Sequence, residues 1–242
     1  LTCMRLVTAL LSSVRTIQHT TQHATSIPHA AHRTSMLASH SSHSGSSSPS
    51  TRAEYARDLA HAVELLRQGE LVAFPTETVY GLGADANNET ALANVFKAKG
   101  RPRTDPLIVH VDAPPAAESL LSLNQEGLTL LRRLATDFWP GPLTVVAPAR
   151  PSVSPLLTAG TGQLGVRCPS HALARRLIAA SGLPIAAPSA NRFGHVSPTR
   201  PEHVMADLGD SRVFILRDEP ESSCEVGIES TVLKIDEEAR QL

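Results

Sequence analysis

"LVAFPTETVYGLGADANNETALANVFKAKGRPRTDPLIVHV", residues 71–111, holds a strand, a helix and a second strand in one run. Leu71–Phe74 is an apolar segment of strand length, ended by a turn at Pro75. "TETVYGLG" after it reads as a polar loop closing on glycines. "ETALANVFKAK" returns to a helical period, with Leu92 and Phe96 four apart on the side expected to face the core. A basic loop then leads into "PLIVHV", a second apolar strand. Strands alternating with helices in this way predict an α/β domain.

The flanks extend the pattern. Upstream, "EYARDLAHAVELLRQGE" places Leu59, Ala62, Val63 and Leu66 on one helical face, with Ser50 or Thr51 as cap and Gly69 as stop. Downstream come helical stretches at 115–121 and 125–136, punctuation at "WPGP", and strands "LTVVAPA" and "QLGVRC". An amphipathic helix "SHALARRLIAAS", a strand "LPIAA" and a loop "PSANRFGHVSPT" follow. A short helix "PEHVMADLG" starts at Pro201, and "RVFILR" and "STVLKI" close the chain as strands. Some strands join strands directly, so the expected architecture is one α/β domain over residues 54–242 with a mixed sheet. No internal repeat is visible.

Residues 1–53 have a different composition. They contain no Asp or Glu, hold Arg5, Arg15, Arg33 and Arg52, and end in a Ser-rich run. Such a segment cannot bury enough apolar surface to offset its ordering entropy, so it is expected to be disordered. An acid-free, Arg- and Ser-rich start predicts a mitochondrial transit peptide, with an unaddressed tail as the plain alternative. "LVTALL" is too short an apolar run for a secretory signal. The chain begins with Leu, and Met4 and Met36 are both candidate starts, giving mitochondrial and cytoplasmic forms.

The three cysteines are too scattered for a disulfide framework or a zinc site, which points to a reducing compartment and leaves the Asn88-Glu89-Thr90 sequon unused. No run of about 18 apolar residues occurs, so no membrane span is expected. A formal net charge of −1 argues against indiscriminate nucleic-acid binding. Gly160–Gly165, "GTGQLG", matches G-x-G-x-x-G, but a strand follows it where a dinucleotide site needs a helix. No P-loop, G-x-S-x-G or H-E-x-x-H motif is present, and the eight aromatic residues form no stacking platform.

Three stretches carry chemistry. Pro102 and Pro106 disfavour helix at the residues before them, so the chain after Lys99 is expected to be extended. Lys99, Arg101 and Arg103 would then project together toward one anion, the alternative being a solvated basic turn. "APSAN" puts Ser189 and Asn191 directly after a strand, where α/β sheets place ligands and ordinary turns also fall. "FPTETVYGLG" offers Thr76, Thr78, Tyr80 and Glu77 for a small polar ligand. His110 and Arg167 are ionisable residues on apolar strands. A strand histidine is commonly a satisfied core residue, whereas the arginine suits a fork-shaped grip on a carboxylate.

"AFPTETVYGLGADA", "KAKGRPRTDPLIVHV", "WPGPLTVV", "GVRCPS", "PIAAPSAN", "SPT" and "ESTVLKI" occur in an order and spacing that resembles the YrdC-domain family of threonylcarbamoyl-AMP synthases. The likeness runs from Leu59 to Ile235. It implies a single domain with a twisted sheet, flanking helices and an open basic cleft. It also implies a reaction in which L-threonine, bicarbonate and ATP give L-threonylcarbamoyladenylate, pyrophosphate and water. A downstream transferase, KEOPS-type or mitochondrial, would move the threonylcarbamoyl group to tRNAs reading ANN codons. The family's K-x-R and S-x-N tetrad corresponds to Lys99, Arg101, Ser189 and Asn191, which are expected to be catalytic and to bind ATP with Arg103 and Thr158. Thr76, His110, Arg167 and Ser230 are expected around threonine. The metal expected is Mg²⁺ carried by ATP, with no protein ligands.

His195 stands where many relatives carry another residue, which leaves its role open. Relatives also continue past the last strand into an R-P-G segment, so the C-terminus is expected to be truncated at "DEEARQL". A non-catalytic module that binds RNA, weakly, through the basic cleft is the alternative function. A hydrogenase-maturation carbamoyltransferase would need acylphosphatase-like and zinc-finger segments that are not found here.

Overall fold

The structure is a computed structural model that describes residues 14–16, 49–217 and 224–236, with side chains from residue 58 onward in the main body. Most of the expected transit segment, both candidate start methionines and nearly all of "DEEARQL" lie outside the described residues.

In chain order the elements are β1 (Val14–Thr16), α1 (Pro49–Arg67), β2 (Leu71–Phe74), β3 (Gly81–Asp85), α2 (Glu89–Lys99), β4 (Ile108–His110), α3 (Pro114–Leu120) and α4 (Gln125–Phe138). There follow β5 (Leu143–Pro148), α5 (Pro155–Thr158), β6 (Gln163–Arg167), α6 (Ala172–Ser181), β7 (Ile185–Ala186), α7 (Pro201–Leu208), β8 (Val213–Ile215) and β9 (Thr231–Ile235). The strands from β2 to β9 make one sheet, extended at one edge by β1, in the order β1-β9-β5-β6-β4-β7-β3-β2-β8. β2 with β8, β4 with β6 and β5 with β9 pair parallel, and the other neighbours pair antiparallel, so the sheet is mixed as expected.

Helices cover both faces. Leu59, Ala62, Val63 and Leu66 of α1 and Leu173, Leu177 and Ile178 of α6 pack with Val72, Phe74 and Ile185 on one side. Leu92, Val95 and Phe96 of α2, Leu131 and Leu134 of α4, and Val204 and Leu208 of α7 join Val109, Val145 and Val166 on the other. Alternation along β2 explains the division, because successive side chains of a strand point to opposite faces.

α1 begins at Pro49, before the expected Ser50 or Thr51 caps and inside the segment expected to be disordered. β1 also falls inside that segment, pairing Val14 with Ile235. β3 was expected as loop. Its glycines are a packing device: a Cβ on Gly83 would sit 2.8 Å from Phe74 Cε1, and one on Gly81 3.2 Å from Ala187 Cβ. They leave the space that the Phe74 ring fills.

Two turns set the position of the basic loop. Asn88 caps α2 by accepting from the Thr90 and Ala91 amides at 3.0 and 3.1 Å. Gly100, at φ 62°, ends the helix in the left-handed conformation that glycine adopts without a Cβ penalty. Lys99 is therefore the last helical residue, and the chain reverses directly after it.

Candidate active site

Lys99 is 3 % exposed. Its ammonium donates to the backbone carbonyls of Ser189 and Asn191, both at 2.5 Å, and lies 3.5 Å from Asn191 Oδ1. Burial and the neighbouring Arg101 guanidinium push its pKa down to about 7, against a smaller upward pull from Asp207. The acceptors on Nζ also favour the charged form. The 188–198 loop is thus built around a lysine. Ser189 Oγ donates to Asn191 Oδ1 at 2.6 Å, and Asn191 Nδ2 donates to the carbonyls of Arg192 and His195 at 2.9 and 2.7 Å.

Lys99 and Arg101 stay close enough to interact, but Arg103 lies apart from them. The segment after Lys99 curls into a turn, in which Arg101 Nη2 donates to the Pro106 carbonyl at 3.0 Å and pairs with Asp105 at 3.4 Å. The two prolines restrict their predecessors, but the reversal at Gly100 and this internal pairing decide the path. Lys99 is buried, Arg101 is half-buried with its guanidinium 5.9 Å from the Phe193 ring centre, and Arg103 is exposed. Arg101 Nε is buried without a hydrogen-bond partner.

The second cluster centres on Arg167, 4 % exposed. The β4–β6 register sets it beside His110, both with side chains on the same face of the sheet as Ile185 of β7. Gly165 on the same strand makes room for its neighbours: a Cβ there would meet Thr144 Cγ2 at 3.3 Å and Ile108 Cγ1 at 3.4 Å. Arg167 Nη1 donates to Thr78 Oγ1 at 3.0 Å, and Nη2 lies 2.8 Å from Glu77 Oε1. This last contact is an ion pair off the line of a hydrogen bond, since Nη2 and both Glu77 oxygens have no aligned partner. Burial would raise the Glu77 pKa, but the Arg167 charge, with the nearby Glu77 and Ser170 amides, holds it below the usual carboxylate range. His110 is held neutral, its pKa pushed down to about 3 by burial and by Arg167.

Thr76 is a frame residue. Its hydroxyl donates to the Val79 carbonyl at 2.6 Å and accepts the Thr78 and Val79 amides at 3.2 Å, a local turn that fixes the 75–80 loop. Ser230 Oγ shares a 2.7 Å hydrogen bond with the buried Thr144 hydroxyl. Thr158 ends α5 with its hydroxyl on the Pro155 carbonyl at 3.3 Å, and α5 is tied to the start of β4 through Leu107 N on the Leu157 carbonyl at 2.9 Å.

The 75–80 loop joins the two clusters. Tyr80 N donates to the Pro198 carbonyl at 2.7 Å, Ala190 N to the Tyr80 carbonyl at 2.8 Å, and Val226 N to the Glu77 carbonyl at 2.8 Å. Ser197 Oγ reaches Glu229 at 2.7 Å, tying the far end of the 188–198 loop to the segment that carries Ser230. Thr78, offered by the sequence for a small polar ligand, instead holds Arg167, and Asp207 was not singled out from sequence. Asp207 on α7 accepts the Arg192 amide at 3.1 Å and faces His195 Nδ1 at 3.0 Å, so His195 latches the loop onto α7.

Around Lys99 the side chains are cations, a hydroxyl and an amide. Among the described residues no group of three or more His, Cys, Asp or Glu side chains is arranged to hold a metal ion. This donor set does not fit a protein-held divalent cation. Among those residues, also, no helix is long and apolar enough to cross a membrane.

Comparison with known proteins adds to this geometry. The Sua5/YciO/YrdC family, described as "Telomere recombination", matches residues 64–242. The threonylcarbamoyl-AMP synthase of Bacillus subtilis is 49 % identical over 177 residues, covering 72 % of this chain and 49 % of that protein. That of Pyrococcus abyssi is 45 % identical over 176 residues, covering 73 % and 50 %. The chain therefore spans about half the length of these curated relatives. The shorter Aliivibrio fischeri synthase is 34 % identical over 164 residues, covering 67 % of this chain and 88 % of that protein. Among solved structures, P. abyssi Sua5 complexed with L-threonine superposes with a TM-score of 0.67 at 43 % identity, covering 74 % of this chain and 51 % of the other. Escherichia coli YciO, at 20 % identity and a TM-score of 0.64, shares the fold.

Proposed function

Since the chain belongs to the Sua5/YciO/YrdC family, we propose that it makes L-threonylcarbamoyladenylate and pyrophosphate from L-threonine, bicarbonate and ATP. The observation that carries this reading is the seating of Lys99, buried on the carbonyls of Ser189 and Asn191, about 90 residues away in sequence. The resemblance assigns these residues, with Arg101, to one tetrad.

In this reading the amine of threonine and bicarbonate form a carbamate, releasing water. A carbamate oxygen attacks the α-phosphorus of ATP and expels pyrophosphate. No protein nucleophile is required, so the protein's part is positioning and charge stabilisation. Lys99 braces the 188–198 loop and supplies a positive charge at its base. Arg101, with Nε unfilled, faces the phosphates, and Arg103 and Thr158 lie at the margin of the nucleotide. Arg167 takes the threonine carboxylate, and neutral His110 orients threonine without acting as a base. Thr76 and Ser230 act through the loops they hold. Mg²⁺ arrives with ATP and offsets charge on its phosphates. The open basic cleft and the catalytic unit at 54–242 belong to the same proposal, as do a mitochondrial address in residues 1–53, a cytoplasmic form, and delivery to a transferase acting on tRNA.

The tetrad is tested by pyrophosphate release from the paired variant Lys99→Ala, Arg101→Ala. Loss of one preorganised charge costs on the order of 100-fold in rate, and loss of both costs at least that. Full activity in the paired variant contradicts the assignment.

A further inference from the structure

Glu77 has no task in the reaction as proposed above, yet it is 5 % exposed, and its carboxylate, approached by Arg167 and by the Glu77 and Ser170 amides, makes no well-aligned hydrogen bond. Its partner, Arg167 Nη2, is also unfilled, although the atoms stand 2.8 Å apart. Buried charges are ordinarily satisfied by geometry as well as by sign, because each unmade hydrogen bond forfeits the desolvation already spent. Thr78 takes Nη1, and Gly141 O lies 3.4 Å from Nε, so the guanidinium is held in place from behind. The backbone of the same loop is anchored by the Val226 amide on the Glu77 carbonyl. The pair is fixed, close and incompletely bonded.

We infer that Glu77 and Arg167 together form the receptor for an α-amino-acid zwitterion, with Glu77 binding the α-ammonium while Arg167 binds the carboxylate. This rests on the proposed function and names a residue that its threonine site lacks. A buried neutral pair admits a ligand that is itself charged at both ends and neutral overall, with no net charge added to the interior. Adjacent acceptor and donor match adjacent ammonium and carboxylate. Selection for an α-amine then precedes any chemistry on it. A ligand without the amine leaves Glu77 unanswered and is rejected for that reason.

The test compares L-threonine with (R)-3-hydroxybutyrate, which is threonine without its amine, by calorimetric titration of the full chain. The unmodified protein is expected to prefer threonine by about 30-fold or more, the cost of leaving one partner of a buried charge pair unmatched. Glu77→Gln keeps the shape and removes the charge. It is expected to weaken threonine and to strengthen (R)-3-hydroxybutyrate, so that the preference between them collapses, while Glu77→Asp retains part of the preference. Equal loss for both ligands would mean that Glu77 merely holds Arg167, and overturns the inference. So does threonine binding that Glu77→Gln leaves untouched, or equal binding of the two ligands by the unmodified protein. The last comparison needs no variant and stands if Glu77→Gln does not fold. Failure of the unmodified chain to bind threonine at all overturns the proposed function instead.

Discussion

Lys99 faces two demands that pull its proton in opposite directions. Burial removes its hydration, and the ammonium has only backbone oxygens and Asn191 as compensation. With its pKa near 7, the residue is charged below neutrality and loses its proton as pH rises through that value. A polyanion binds the charged form better. ATP affinity is therefore expected to fall as pH rises from about 7.5 to 9, above the last phosphate ionisation of ATP, and binding at the upper end should take up a proton. Calorimetry in buffers of different ionisation enthalpy reads both effects. Affinity that is flat across that window, with no proton uptake, would show that Lys99 keeps its charge throughout. The neutral state of His110 has the same origin, burial beside a cation, and its lowered pKa makes it a weak base.

At the scale of elements, the site depends on how α2 begins and ends and on what β3 leaves out. Asn88 satisfies two amides at the start of α2, and Gly100 reverses the chain at its end, with Lys99 buried before the reversal and Arg101 half-buried after it. Asn88→Ala is expected to cost about 1 kcal/mol of stability, read by urea unfolding. Gly83→Ala forces a methyl group to within 2.8 Å of Phe74, 3.0 Å of Ile185 and 3.1 Å of the Val72 carbonyl. Part of that surrounding is backbone and cannot move aside, so a loss of about 1–3 kcal/mol is expected from the same measurement. Stability equal to the unmodified chain would mean that β2 and β3 separate freely.

These elements also show what a sequence can and cannot carry. β2, β5 and β9 are legible because β-branched and aliphatic residues crowd them, and α2 because Leu92 and Phe96 keep helical spacing. β3 is hidden because two of its five residues are glycines, which read as a turn; their purpose appears only when Phe74 is seen in the space they leave. The seat of Lys99 is hidden for another reason. Its closest acceptors are main-chain carbonyls, which every residue has, so no side chain announces them. The segment after Lys99 was expected to be extended, and it turns because of Gly100 and because Asp105, four residues on, pairs with Arg101 locally. Thr76, Glu77 and Thr78 were legible as one polar stretch, but the contact of Glu77 and Thr78 with Arg167 was not, because it joins segments 89 positions apart.

For the whole molecule, the sheet carries His110 and Arg167 side by side from strands that are 57 positions apart. The 75–80 loop then connects them to the 188–198 loop and its lysine. Helices on both faces keep this arrangement rigid, which suits a reaction whose acceleration comes from placement. In the reaction proposed, three substrates must meet for any of them to react. The measurement that tests this most directly is pyrophosphate release from ATP by the full chain, with L-threonine and bicarbonate each present or withheld. Release that requires both is the predicted result. Release that ignores threonine, or none with all three substrates present, would contradict it.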